Sequence, residues 1–69
     1  MEDKLKQGEA LFAEGKIEEA EKCFSDFLDQ NPEDAEALNN LGAIYYTRGN
    51  VKEAEGYFFK ALEAKEDYP

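Results

Sequence analysis

Residues 35–62, AEALNNLGAIYYTRGNVKEAEGYFFKAL, decide the fold. Leu38, Leu41, Ile44, Tyr45 and Arg48 recur at the three- and four-residue spacing of one helix face. Gly49-Asn50 breaks that run. Asn50 is suited to cap the next helix, with Glu53 three residues on as its capping-box partner. Ala54, Tyr57, Phe58, Ala61 and Leu62 then make a second apolar stripe with helical periodicity. The stretch reads as helix, tight turn, helix.

The same pattern occurs once before. A shift of 34 residues aligns Glu2 with Glu36, Gly8 with Gly42 and Gly15 with Gly49. It also aligns Glu19-Ala20-Glu21 with Glu53-Ala54-Glu55, Phe24 with Phe58 and Leu28 with Leu62, without a gap. Leu11, Phe12 and Ile17 meet Tyr45, Tyr46 and Val51, which keeps their apolar character. A fixed period of this length is the mark of a repeat architecture. In the first copy Gly15 makes the break, and Ile17, Ala20, Phe24, Phe27 and Leu28 form the second stripe. Asn31-Pro32-Glu33-Asp34 separates the copies, because Pro32 cannot continue a helix and the acids favour the start of a new one.

The sequence therefore predicts an all-α chain of four antiparallel helices, near 2–14, 17–30, 34–48 and 51–65. They form two stacked helical hairpins, residues 1–34 and 35–69, within one structural domain. Gly8 and Gly42 should let the first helix of each pair approach the second where Ala20 and Ala54 also present little bulk. Phe24 and Phe58 should fill the space beside them.

Composition bounds the function. The 69-residue chain carries 17 acidic and 8 basic residues and no His, a net charge of −9. That balance repels phosphate backbones and anionic lipid, so neither nucleic acid nor a membrane surface is an expected partner. No 18-residue apolar run or signal-peptide pattern is present in this sequence, and a soluble, cytoplasmic protein is expected. The single Cys23 fits a reducing compartment and reads as a small core residue. A chain this short has little margin over its conformational entropy, so neighbours are expected to matter.

Nothing here assembles an active site. With no His, one Ser (Ser25) and one Cys, there is no nucleophile elbow, phosphate loop or zinc spacing. Glu18, Glu19 and Glu21, and likewise Asp26 and Asp29, read as a solvated helix face rather than metal ligands. The expectation is no catalysis, no cofactor and no metal.

From Ala35 onward the chain resembles the tetratricopeptide repeat, with Leu38, Leu41, Gly42, Tyr45, Ala54, Phe58 and Ala61 at that motif's spacing. The first copy is similar through Gly8, Leu11, Ala20, Phe24 and Pro32, but Lys4 and Gln7 stand where large apolar residues are usual. Polar residues there suit a terminal repeat whose outer face meets water. The resemblance spans essentially the whole chain and implies a helical solenoid that acts as a scaffold for protein binding.

It also implies a concave wall built mainly from first helices. That wall maps to Glu2, Leu5, Glu9, Phe12 and Ala13, and to Glu36, Asn39, Asn40, Ala43, Tyr46 and Thr47. Its chemistry is an acidic groove with Phe12 and Tyr46 as anchors, suited to a basic or amphipathic peptide. The alternative is that Phe12 and Tyr46 are packing residues and the acids confer solubility. Family members that clamp a chaperone's C-terminal carboxylate would place Asn40 in that role. Leu5 and Glu9, however, stand where the clamp wants Lys and Asn, and the acids repel a carboxylate, so that ligand is disfavoured.

Two other readings stay open. The chain ends in Glu66-Asp67-Tyr68-Pro69, with Glu66 where the motif's Pro is usual, and no further helix follows to cover the last stripe. Tyr57, Phe59 and Leu62 then form an apolar patch for self-association into a homo-oligomer. Alternatively the chain is a structural fragment of a longer array.

Overall fold

The computed structural model describes residues 3–66 and contains four helices. They are α1 (Lys4–Ala13), α2 (Ile17–Gln30), α3 (Ala35–Thr47) and α4 (Val51–Glu66). α1 packs on α2 and α3 on α4, and the α2–α3 contact stacks the two hairpins.

Each boundary has a local cause. α1 begins two residues later than expected because Asp3 is its cap: extended at φ −80° and ψ 116°, its carboxylate accepts the Leu5 N–H at 3.0 Å. Asp34 does the same for α3, accepting the Ala37 N–H at 2.9 Å. After α2, the Asn31 amide donates to the Phe27 carbonyl, and the Asn31 carbonyl accepts the Asp34 N–H across Pro32.

The turns inside the hairpins are one structure used twice. Gly15 and Gly49 adopt φ of +84° and +87°. Gly15 N–H donates to Phe12 and Lys16 N–H to Leu11, while Gly49 N–H donates to Tyr46 and Asn50 N–H to Tyr45. These paired bonds are the Schellman motif, which satisfies the last carbonyls of a helix through a left-handed residue. The expected Asn50–Glu53 capping box does not form: no side-chain hydrogen bond of Asn50 occurs among the described residues. Asn50 instead donates its backbone N–H to close the helix behind it.

Because nothing lies within 4 Å of a Cβ built on Gly49, Gly49→Ala is opposed by backbone conformation alone. The expected loss is about 1–2 kcal/mol, read as a lowered urea midpoint with unchanged slope. An unchanged midpoint would mean that the turn relaxes out of the left-handed region.

The core is small and built around alanine. Leu5, Ala20, Phe24, Ala37, Leu41 and Ile44 form one buried cluster, and Leu38, Ala61 and Ala64 a second. Leu28 and Tyr57 pack against both, which makes the apolar interior continuous. Phe24 and Ile44 are the largest side chains that are fully buried among the described residues. Ala20, Ala37, Ala54 and Ala61 sit at the helix crossings with almost no exposure, so the backbones approach closely there. Gly8 and Gly42 extend the same device: a Cβ on either would lie 2.6 Å from a ring carbon of Phe24 or Phe58.

Candidate functional site

α1 and α3 are the first helices of the two repeats, and the sequence points to their shared face. Three of the residues named for it meet there. Asn40 on α3 donates its side-chain N–H to the Glu9 carboxylate on α1 at 2.9 Å, which ties the two repeats together. Glu36, one helical turn before Asn40, is exposed, and its carboxyl is held above the ordinary range. The main cause is the neighbouring Glu9 carboxylate, with smaller contributions from burial and from Asp34 and Asp3. Glu9 of the first repeat and Glu36 of the second thus lie side by side.

The other named residues divide. Tyr46 is 64% exposed, Asn39 is exposed and Ala43 is half-buried. Phe12 is half-buried and packs against the main core cluster, so only part of its ring is available. Leu5 is a correction: it is itself a member of that cluster, at 8% exposure, and backs the wall from inside. It joins residues of both α2 and α3 there and is turned away from solvent. Ala13 and Thr47 are exposed, and the Thr47 hydroxyl is engaged with the Ala43 carbonyl at 2.8 Å. Glu2 and the Asp67-Tyr68-Pro69 end lie outside the described residues.

A second polar cluster, unanticipated from sequence, joins three helices. Glu21 on α2 accepts the Tyr45 hydroxyl at 2.9 Å through one oxygen and pairs with the Arg48 guanidinium at 2.7 Å through the other. Arg48 also lies 5.9 Å from the Tyr45 ring centre. Tyr45 stacks on Tyr57 of α4, with 5.3 Å between ring centres and planes within 4° of parallel. The bond to Glu21, helped by burial, pushes the Tyr45 hydroxyl up to about 12, so it stays a donor at any physiological pH. The sequence pattern alone puts Glu21 on a solvated helix face. Its partners are 24 residues or more away, and no local pattern announces them.

Tyr57 is accordingly a second correction. It is half-buried between α3 and α4 and is spent on internal packing, because the short α3–α4 turn brings it over Tyr45. Phe59 and Leu62, its companions in the expected patch, are 63% and 59% exposed. Cys23 is buried. Lys4 pairs with Asp26 at 3.1 Å across α1 and α2, which holds the Asp26 carboxyl below its usual range. Among the described residues no group of three or more His, Cys, Asp or Glu is placed to hold a metal ion. Nor is any described helix long and apolar enough to cross a membrane.

Comparison with known proteins agrees with this architecture. The family model described as tetratricopeptide repeat matches residues 5–69. A Hsp70-Hsp90 organising protein of Plasmodium falciparum is 37% identical over 62 residues, which is 90% of this chain and 25% of that protein. A protein of the same name from Plasmodium falciparum isolate 3D7 is also 37% identical over 62 residues, covering 11% of its length. The chain therefore spans a quarter or less of these relatives. The gapless repeat, the two Gly-closed hairpins stacked through α2 and α3, and the family match over nearly every residue place this chain in the tetratricopeptide repeat family, whose repeats are protein-interaction modules.

Proposed function

We propose that the chain is a non-catalytic module that holds a Lys- or Arg-bearing peptide segment along the α1–α3 face. The observation that carries this reading is the carboxylate cluster formed across the repeats, Glu9 beside Glu36 with Asn40 fixing Glu9. Two adjacent carboxylates repel, and a ligand cation between them relieves that repulsion. Tyr46, toward the far end of α3, and the open part of Phe12 supply apolar contact further along the same ligand. The net charge of −9 adds steering toward a basic partner, which salt should screen.

The relatives' name concerns Hsp70 and Hsp90, and likeness to them favours a polypeptide as ligand. A C-terminal carboxylate as the bound group suits this face poorly. It would meet Glu9 and Glu36, with Leu5 turned into the core.

The test is fluorescence anisotropy with two labelled peptides, one rich in Lys and Arg and one ending in an acidic tail. The basic peptide should bind, weaken with added salt, and weaken as the pH falls far enough to protonate Glu36. That sign follows because a bound cation favours the charged carboxylate. Tyr46→Ala should reduce affinity by about tenfold, the effect of losing roughly 1.4 kcal/mol, while the urea midpoint stays within about 0.5 kcal/mol of the parent. Phe12→Ala should weaken binding as well, with some loss of stability because its ring touches the core. Preference for the acidic tail, or binding indifferent to Tyr46, would sink the reading.

A further inference from the structure

The first repeat is an internal control for the outer side of α4. Lys52, Gly56, Phe59 and Glu63 follow one another at three- and four-residue spacing and are all exposed. They lie on the side of α4 opposite Ala54, Ala61 and Ala64, which are buried. Their counterparts 34 residues earlier are Glu18, Lys22, Ser25 and Asp29 of α2, and these too are exposed although α3 is stacked on α2. The stripe is therefore not a stacking surface, and it stays open on a hairpin that has another beside it. On α2 it is wholly polar. On α4 it carries a ring that is 63% exposed and a glycine whose Cβ would meet nothing within 4 Å. Glycine weakens a helix interior, and no packing inside the chain accounts for this one.

We propose that this stripe pairs with the same stripe of a second copy, the two α4 helices running antiparallel about a two-fold axis. Lys52 and Glu63 stand equally far from the midpoint between Tyr57 and Phe58, and so do Gly56 and Phe59. Antiparallel pairing about that midpoint sets Lys52 of each copy opposite Glu63 of the other, at both ends of the contact. Among the described residues neither charge takes part in an ion pair within the chain. Roughly 16 Å of helix separates them, so they cannot pair with each other. Near the axis the two Phe59 rings meet, and the missing side chain of Gly56 lets the helices approach. The stripe points away from α3, so the α1–α3 face stays open in both copies.

A foreign helix would have to reproduce this order of charge, gap, ring and opposite charge, whereas a second copy supplies it by symmetry. The contact is one helix on one helix, below the roughly 1,200 Å² of total surface that stable complexes bury. Each chain also carries a net charge of −9, which opposes association at long range. The pairing is accordingly weak, and it needs salt near 0.15 M, where charges more than about 8 Å apart are screened.

The test is molar mass of the chain by light scattering and sedimentation equilibrium at about 0.15 M salt, up to millimolar concentration. A monomer–dimer equilibrium is expected, with Kd at least about tenfold larger for Phe59→Ser, which installs the residue of the first repeat. Lys52→Glu and Glu63→Lys should each weaken the homodimer by setting like charges opposite one another at both ends. Mixed together, those two variants should associate about as tightly as the parent, and so should the double variant with itself. All these positions are exposed, so the variants should fold, which circular dichroism checks. A chain that stays monomeric at millimolar concentration would overturn the proposal and leave the stripe to another occupant. Charge variants that fail to restore one another would overturn it as well. So would a dimer that Leu62→Asp abolishes and Phe59→Ser leaves intact, by moving the contact to the face of α4 that corresponds to the stacking face of α2.

Discussion

Phe24→Ala is expected to leave the chain largely unfolded at 25 °C. Phe24 is 1% exposed, lies against Gly8, and belongs to the cluster that joins α1, α2 and α3. Truncating a buried Phe removes its transfer free energy and leaves a cavity, together about 3–5 kcal/mol. A domain of this size is stabilised by roughly 3–10 kcal/mol in all, so the loss takes most of the margin. The cavity would open in the middle of the cluster of Leu5, Ala20, Ala37, Leu41 and Ile44, and Gly8, which touches the ring, has no side chain to move inward. Phe58→Ala, the same change in the second repeat, should be milder because Phe58 is only half-buried. Circular dichroism during urea titration checks both. A Phe24→Ala protein with a full helical signal and a midpoint within about 1 kcal/mol of the parent would show that this ring is not central.

The glycines give the second large effect, and here its sign is decided by packing. Gly8, Gly42 and Gly56 all lie inside helices, where Ala is favoured over Gly by about 1 kcal/mol. At Gly56 nothing lies within 4 Å of a built Cβ, so Gly56→Ala should realise that gain and raise the midpoint. At Gly8 the new methyl would sit 2.6 Å from Phe24 Cε1 and 2.9 Å from Cδ1. The Phe24 ring is enclosed and has nowhere to turn, so overpacking of about 1–3 kcal/mol exceeds the helix gain. Gly42→Ala meets Phe58 at 2.6 Å, an equal clash on paper. The Phe58 ring has an open side and can swing toward solvent, so its penalty should be smaller. The predicted order of stability is Gly56→Ala, then parent, then Gly42→Ala, then Gly8→Ala. If Gly8→Ala were the equal of Gly56→Ala, the close approach of α1 to α2 would not be what this glycine provides.

These two predictions also separate what was legible from what was not. The pairing of Gly8 with Phe24 and of Gly42 with Phe58 could be read from the 34-residue period and from helical spacing. Small residues opposite one aromatic have only one compact arrangement once two helices are joined by a tight turn. Helix ends were legible to within a residue or two. The exception was Asn50: its residue type fits a cap, but the backbone of the preceding turn claimed it. Of the candidate face, the acids Glu9 and Glu36 were legible as charge. Their meeting, with Asn40 bonded to Glu9, required α1 and α3 to lie side by side. Leu5 could not be sorted from its neighbours, since an apolar residue on the first turn of a helix can face either way.

The sequence by itself determined the number of helices, their turns, and the alternation of small and aromatic residues at the crossings. Those follow from spacing within one helix or across one short loop. The tertiary structure decided which hairpin faces are covered. Glu21 joins Tyr45 and Arg48, and Tyr57 turns inward onto Tyr45. The first depends on how one hairpin leans on the next and the second on how α4 folds back over α3, and many side chains together set those angles rather than any pattern within one helix.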